Sequence, residues 1–317
     1  DKKYLEYLKK YSKNNKNTFK DAKALYDLTF KEIENPDYFD RINSRFQIKK
    51  YNTLSKSIFW FGKTFLFSIY RFIRYSKSSA IEFFRSSIQN LILTYPGFYY
   101  KIDFKNENYL YYTLHISPEY SLNKQGVMWQ NQLANIELLS KSIPGSFKVI
   151  IKEHPGTLVA RVRPYNFYKQ LKKIPNVFLI DIDSDMHKVV SNAKIVVVIS
   201  GTAGFEAILR DVPSISFVKN TWDIMNLSNQ IDEIEKLPNL IFNEMERMKK
   251  ISKSERKKRL ICFFASVLSE SFHITYPNEL VYTDIGKDEH YKVCGLEMAN
   301  GFLKYISLIE KNKKEKI

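Results

Sequence analysis

Three short polar stretches in this chain each follow an apolar run directly: Thr113-Leu-His-Ile-Ser-Pro-Glu119, Lys152-Glu-His-Pro-Gly156 and Ser200-Gly-Thr-Ala-Gly-Phe-Glu206. The third breaks a buried-looking run, IVVVI at 195–199, into two glycines and turns at once toward a helix. Backbone N–H groups at such a turn, with the hydroxyls of Ser200 and Thr202, suit a phosphate. Gly201 and Gly204 are expected to let a ligand approach the backbone, and Glu206 to accept ribose hydroxyls. The plainer alternative is a glycine-rich turn capped by Thr202. In the second stretch His154 stands before Pro155, which fixes the turn, while Lys152 adds positive charge and an imidazole there suits a phosphoryl oxygen. In the first, His115 and Glu119 form either an acid and base pair or two further donor contacts; a strand-end histidine packed in a sheet, with Glu119 as a helix charge, is the structural alternative.

Residues that far apart meet only if the fold brings loop ends together. From Asn108 onward short β-rich runs alternate with helical ones. Strands are expected at 109–116, 147–152, 177–182, 195–199 and 214–217, with helices at 126–142, 164–173, 185–192 and 203–210. Near-continuous apolar strands separated by helices predict a parallel sheet covered on both faces. In such sheets ligands bind beyond the carboxyl ends of the strands, where all three polar stretches fall. The expected organisation is a helical, basic region over 1–106, an α/β domain over 107–270 and a helical tail over 271–317.

The 317 residues include 50 Lys and Arg against 34 Asp and Glu, a formal charge of +16. With 44% hydrophobic and 15% aromatic residues, disorder is excluded as the main state. Residues 1–106 hold 21 of the basic and 10 of the acidic side chains, and 41–80 hold nine basic and no acidic ones. A helical wheel places Lys56, Lys63, Arg71, Arg74, Lys77 and Arg85 in one arc opposite Phe61, Phe65, Leu66 and Ile69. That helix suits either an anionic membrane surface or a core with a solvated basic edge. No nucleic-acid motif accompanies the charge. Two cysteines without a CxxC pair, and no apolar run of 18, point to the reducing cytoplasm and to no membrane span. Gly62-Lys63-Thr64 ends like a P-loop, but the earlier glycine is replaced by Ser57. Asp181-Ile182-Asp183 imitates a metal-holding DxD but reads as solvated loop acids, and His187, His273 and His290 lack ligand spacing. No metal and no cofactor are expected.

With these stretches taken together, the sequence resembles the GT-B glycosyltransferases of bacterial capsule and surface-polysaccharide synthesis, above all the capsule polysaccharide biosynthesis proteins related to Kdo transferases. The likeness rests on LHISPE at 114–119, KEHPG at 152–156, IPNVFLID at 174–181 and VVVISGTAGFEAILRDVPSISF at 196–217. It implies a Rossmann-like domain that binds a nucleotide-sugar donor, often a CMP-activated sugar acid, for transfer to a glycan or glycolipid acceptor at the inner face of the cell membrane. It carries donor phosphate contacts onto His154, Ser200, Gly201 and Thr202, and a ribose or base contact onto Glu206. The full expected binding set is Lys152, Glu153, Pro155, Ser200, Gly201, Thr202, Ala203, Gly204 and Glu206, with His154, His115 and Glu119 as the catalytic candidates. A whole GT-B enzyme has two Rossmann-like domains, so the helical 1–106 stands for a reduced or truncated acceptor side. No acidic Asp/Glu-Asp/Glu-Gly string supplies a base. Polyol-phosphate transferases of teichoic-acid type share the Lys-x-His-Pro loop and form one rival reading. A non-catalytic scaffold that binds an anionic polymer forms the other.

Overall fold

The computed structural model describes residues 2–11, 19–34, 98–117, 121–154, 163–182, 184–271 and 296–301, with isolated positions between 58 and 88 and at 119 and 303. Two helices, α1 (Lys2–Tyr11) and α2 (Lys20–Glu34), precede a sheet built from β1 (Tyr109–Thr113), β2 (Lys148–Lys152), β3 (Val177–Ile180), β4 (Ile195–Val198), β5 (Ser214–Ser216) and β6 (Asn229–Gln230). Between the strands run α3 (Gln132–Lys141), α4 (Tyr165–Leu171), α5 (Met186–Ser191) and α6 (Ala203–Leu209). After them come α7 (Leu237–Lys250) and α8 (Lys253–Glu270). All six strands are parallel, in the order β3-β2-β1-β4-β5-β6. The chain thus builds outward from β1 to β3, then returns to the other side of β1 with β4. This doubly wound order leaves a crevice between the carboxyl ends of β1 and β4.

Four of the five expected strands begin where the apolar runs predict and stop one to three residues early, whereas β2 starts one residue late, at Lys148, and ends at Lys152 as expected. β1 ends at Thr113 rather than 116, and the helix expected over 126–142 is a short 3-10 turn, Val127–Trp129, followed by α3. Asn131 explains the restart, because its side chain accepts the Ala134 N–H at 3.2 Å and caps α3. Asp185 caps α5 in the same way through the His187 N–H. The edge strand β6 has no apolar run and was not expected.

Strand side chains alternate between faces. Leu110, Tyr112, Val149, Ile151, Ile195, Val197 and Ile215 face α3, α4 and α7 in one buried cluster. Tyr109, Tyr111, Ile150, Ile180, Val196 and Val198 face α5 and α6 in another. Tyrosines in a fully buried central strand need partners for their hydroxyls. Tyr109 donates to the Val189 carbonyl at 2.7 Å, and Tyr111 reaches Met186 Sδ at 3.3 Å.

A third cluster joins α6 to the N-terminal helices. Ile208 and Leu209 of α6 pack with Leu260, Ile261, Cys262, Phe264 and Ala265 of α8 and with Tyr4, Ala22 and Ile33 of α1 and α2. This cluster, distinct from the two on the sheet faces, anchors α1 and α2 against α6 and α8. The basic aromatic helix over 54–77 falls mostly outside the described residues; those described there, such as Phe59, Leu66 and Tyr70, are helical and exposed. The expected tail helix is described only over 296–301 and at 303. Among the described residues no helix is long and apolar enough to cross a membrane.

Candidate active site

The register of the strands decides which polar side chains meet. Thr113 pairs with Lys152 at the ends of β1 and β2, on the sheet face that carries Tyr111 and Ile150. Ser200 lies two residues beyond Val198, which points to that same face. A cavity of about 310 Å³ opens there, at the switch point, lined by Tyr111, Thr113, Leu114, His115, Glu119, Ser121, Lys152, Glu153, His154, Met186, Ser200, Gly201, Thr202, Ala203 and Glu206. All three sequence stretches thus line one pocket.

His115 is held from its backbone. Its N–H donates to Gln132 Oε1 at 2.9 Å and its carbonyl accepts from Gln132 Nε2 at 3.1 Å, both partners being buried on the first turn of α3. Arg163 donates to the same carbonyl and also pairs with Glu153 Oε1 at 2.6 Å. The ring is 6% exposed, with Nδ1 3.4 Å from Glu119 Oε2. That hydrogen bond holds the Glu119 carboxyl below the usual glutamate range. With Nδ1–H engaged by a carboxylate, Nε2 is left as the basic nitrogen. Gly201 fits this ring from the β4 side: a Cβ built on it comes 3.3 Å from His115 Cε1.

The buried polar atoms of the pocket with no hydrogen-bond partner among the described residues include Thr113 Oγ1, His115 Nε2 and Ser200 Oγ. An unsatisfied buried polar group costs about 1–3 kcal/mol, so several around one cavity mark a place for a polar ligand. Lys152, only 2% exposed, brings an ammonium to the same wall. His154 keeps an open edge, yet the protein around the ring desolvates it and lowers its pKa below the ordinary histidine value; Glu119 opposes the shift, while Lys152, His115 and Arg163 add to it. Glu206, also on the wall, has its carboxyl raised by burial and partly steadied by Arg210, with Oε2 3.6 Å from Nη1.

Several expected contacts take a different form. Gly204 is buried and does not line the pocket; a Cβ there meets Val198 Cγ2 at 3.0 Å and Ser214 Oγ at 3.1 Å, so its bareness lets α6 pack on β4 and β5. Thr202 stands at the N-cap of α6 but makes no capping bond and leaves its hydroxyl exposed at the pocket wall. Glu153 faces the pocket with its carboxylate already joined to Arg163. Pro155 and Asp183 lie outside the described residues. Tyr111, Gln132, Arg163 and Met186 are additions that no motif announced, and Thr113, which opens the first stretch, was given no role there. Alternation along β1 points to Tyr111 and Thr113 once the face of His115 and Lys152 is known, whereas Gln132 and Arg163 give no local signal.

Solved structures that resemble this one include UDP-GlcNAc 2-epimerase from Methanocaldococcus jannaschii, at 15% identity over 59% of this chain and 54% of that one, with a TM-score of 0.37. KpsC from Thermosulfurimonas dismutans, a beta Kdo 2,4 transferase, matches at 15% identity over 51% and 44%, with a TM-score of 0.33. Alr3699/HepE from Anabaena, in complex with UDP-glucose, matches at 15% identity over 53% and 45%, again at 0.33. The chain spans about half the length of these structures. No curated protein matches it. The sequence profile of the capsule polysaccharide biosynthesis proteins matches residues 104–259, which include β1 to β6 and every pocket residue named above. What the comparison assigns to the capsule polysaccharide biosynthesis protein family is therefore this segment, 104–259, which carries the whole sheet and the pocket.

Proposed function

We propose that this protein is a glycosyltransferase of the GT-B kind that takes a sugar from a nucleotide donor and delivers it to a capsule or surface glycan. The observation that supports this most directly is the presence of partnerless polar atoms, Thr113 Oγ1, His115 Nε2 and Ser200 Oγ among them, around a switch-point cavity walled by Lys152. In this reading the donor's phosphate lies against Lys152, His154, Ser200 and Thr202, where negative charge grows on the departing nucleotide. Glu206 faces the nucleoside. His115, oriented by Glu119, draws the proton from the acceptor hydroxyl through Nε2. Protein donors supply all of these roles, so the transfer needs no metal. The neutral His154 expected at pH 7 from its lowered pKa donates N–H to a phosphoryl oxygen and becomes easier to protonate once that anion is bound.

The donor to test first is a CMP-activated sugar acid. A melting-temperature screen with CMP, CDP, UDP and GDP is the direct experiment. A nucleotide at a hundred times its Kd stabilises the native state by about 2.7 kcal/mol, which moves Tm by roughly 5–11 °C for a domain of this size. Product masses from CMP-sugar and CDP-glycerol incubations then separate sugar transfer from polyol-phosphate transfer, and His154→Ala is expected to remove most turnover without loss of fold. If none of the four nucleotides raises Tm, the donor reading fails and a scaffold remains.

A further inference from the structure

A second cavity, of about 360 Å³, lies at the other end of α6. The first pocket takes Ala203 and Glu206 from the start of that helix, and the second takes Leu209, Arg210 and Asp211 from its end. Its walls come from two helices whose spacing sets the chemistry. Tyr26 and Phe30, four apart on α2, share a face, and their rings stack with centroids 6.0 Å apart at 23°. Lys253 and Lys257, four apart in the opening turns of α8, line the opposite wall. Lys257 Nζ stands 5.0 Å from the Tyr26 ring centre.

The charge of this cavity is one-sided. Among the described residues neither Lys253 nor Lys257 forms an ion pair, and the one acid on the wall, Asp211, is engaged by Arg256 Nε at 2.7 Å. Arg210 adds a third cation whose side chain is 8% exposed. Contacts with the Ile33 carbonyl at 3.1 Å and His187 Nδ1 at 2.7 Å, together with Glu206, hold it in place. The amino end of the 18-residue α8 contributes its positive dipole at the same spot. A concave site with two lysines, a fixed guanidinium and a flat aromatic pair suits a ring that bears an anionic group.

We propose that this cavity binds an acidic sugar unit of an anionic saccharide, its carboxylate or phosphate between Lys253, Lys257 and Arg210 and its ring against Tyr26 and Phe30. The site stands apart from the donor pocket, so it holds or fails whether or not the nucleotide screen succeeds. Calorimetric titration of the full chain with tetragalacturonate tests it, with maltotetraose as the uncharged counterpart. Binding of the acidic tetramer alone is expected, weakened at least roughly tenfold in Lys253→Ala/Lys257→Ala, since each charge-assisted hydrogen bond contributes about that factor. Tyr26→Ala is expected to weaken it as well. Melting temperatures close to the parent's establish that the variants remain folded. Equal affinity for maltotetraose, absence of binding, or undiminished affinity in both variants overturns the proposal. So does charge-dependent binding to phosphatidylglycerol vesicles that tetragalacturonate does not compete, because the cations then serve a membrane instead.

Discussion

Gly201 and Gly204 stand three residues apart in one turn, and changing each to alanine is expected to have opposite consequences. Neither has a positive φ, so a side chain brings no backbone strain and only the new methyl matters. At Gly204 the methyl lies 3.0 Å from Val198 Cγ2 and 3.1 Å from Ser214 Oγ, atoms of fully buried strand residues that cannot swing aside. Overpacking of this kind costs about 1–3 kcal/mol. The gain in helix propensity returns roughly 0.5–1 kcal/mol, leaving a net loss of about 1–2 kcal/mol. For a domain of this size that lowers Tm by about 2–8 °C. At Gly201 the methyl lies 3.3 Å from His115 Cε1 and 3.6 Å from Nε2. Gln132 and Arg163 fix the His115 backbone, so the ring itself must turn by a few tenths of an ångström. Such a movement barely changes stability, but it displaces Nε2. A misplacement of about 1 Å costs on the order of a hundredfold in rate, so a loss of roughly tenfold is expected in transfer. Thermal melts, transfer rates and the His115 imidazole NMR signals read the two effects separately. If Gly201→Ala melts early with an unmoved His115 signal, or Gly204→Ala is as stable as the parent, the assignment of the two glycines is wrong.

Two further outcomes follow from charges near the pocket. The native-state pKa of His154 is depressed, so its contribution to stability is present above the unfolded value near pH 6.5 and is lost as pH falls toward the native value. Urea denaturation across pH 7.5 to 5 is expected to show a smaller decline for His154→Asn than for the parent; identical slopes would remove desolvation of this ring from the argument. Arg163→Met leaves the carboxylate of Glu153, 2% exposed, without its guanidinium, at a cost of about 3–5 kcal/mol, while Arg163→Met/Glu153→Leu is expected to recover most of it. A double variant as unstable as the single one would show that Arg163 acts chiefly through the His115 carbonyl.

How much of this was legible in the sequence depends on how far apart the interacting residues lie. The strands were readable because runs such as Ile195–Val198 are apolar throughout, as a sheet buried on both faces demands. Helix starts are set by side chains within three residues: the start expected at 185 agrees with the Asp185 cap, whereas the helix expected from 126 begins only after the Asn131 cap, which the sequence reading passed over. The Gln132 clamp on His115 spans 17 positions, and the Arg163 contact with the same carbonyl spans 48, so neither leaves a local trace. Gly201 and Gly204 look alike in the sequence because what separates them is the neighbour each meets after folding.

The polar ends of the strands lie between these extremes. Tyr109–Thr113, Lys148–Lys152 and the run from Ile195 each pass from buried apolar residues to a group that can form a hydrogen bond or bear a charge, namely Thr113, Lys152 and Ser200. A chain selected for stability alone would continue such a run with another aliphatic side chain, since burying a polar atom without a partner is unfavourable. Three neighbouring strands that break this rule on one face and at one edge of the sheet, Ser200 two residues beyond the level of Thr113 and Lys152, place that unfavourable term where a ligand can offset it. The alternation within each strand already fixes the face. Only the parallel register, Thr113 beside Lys152 and Tyr112 beside Val197, is needed to turn three separate breaks into one pocket.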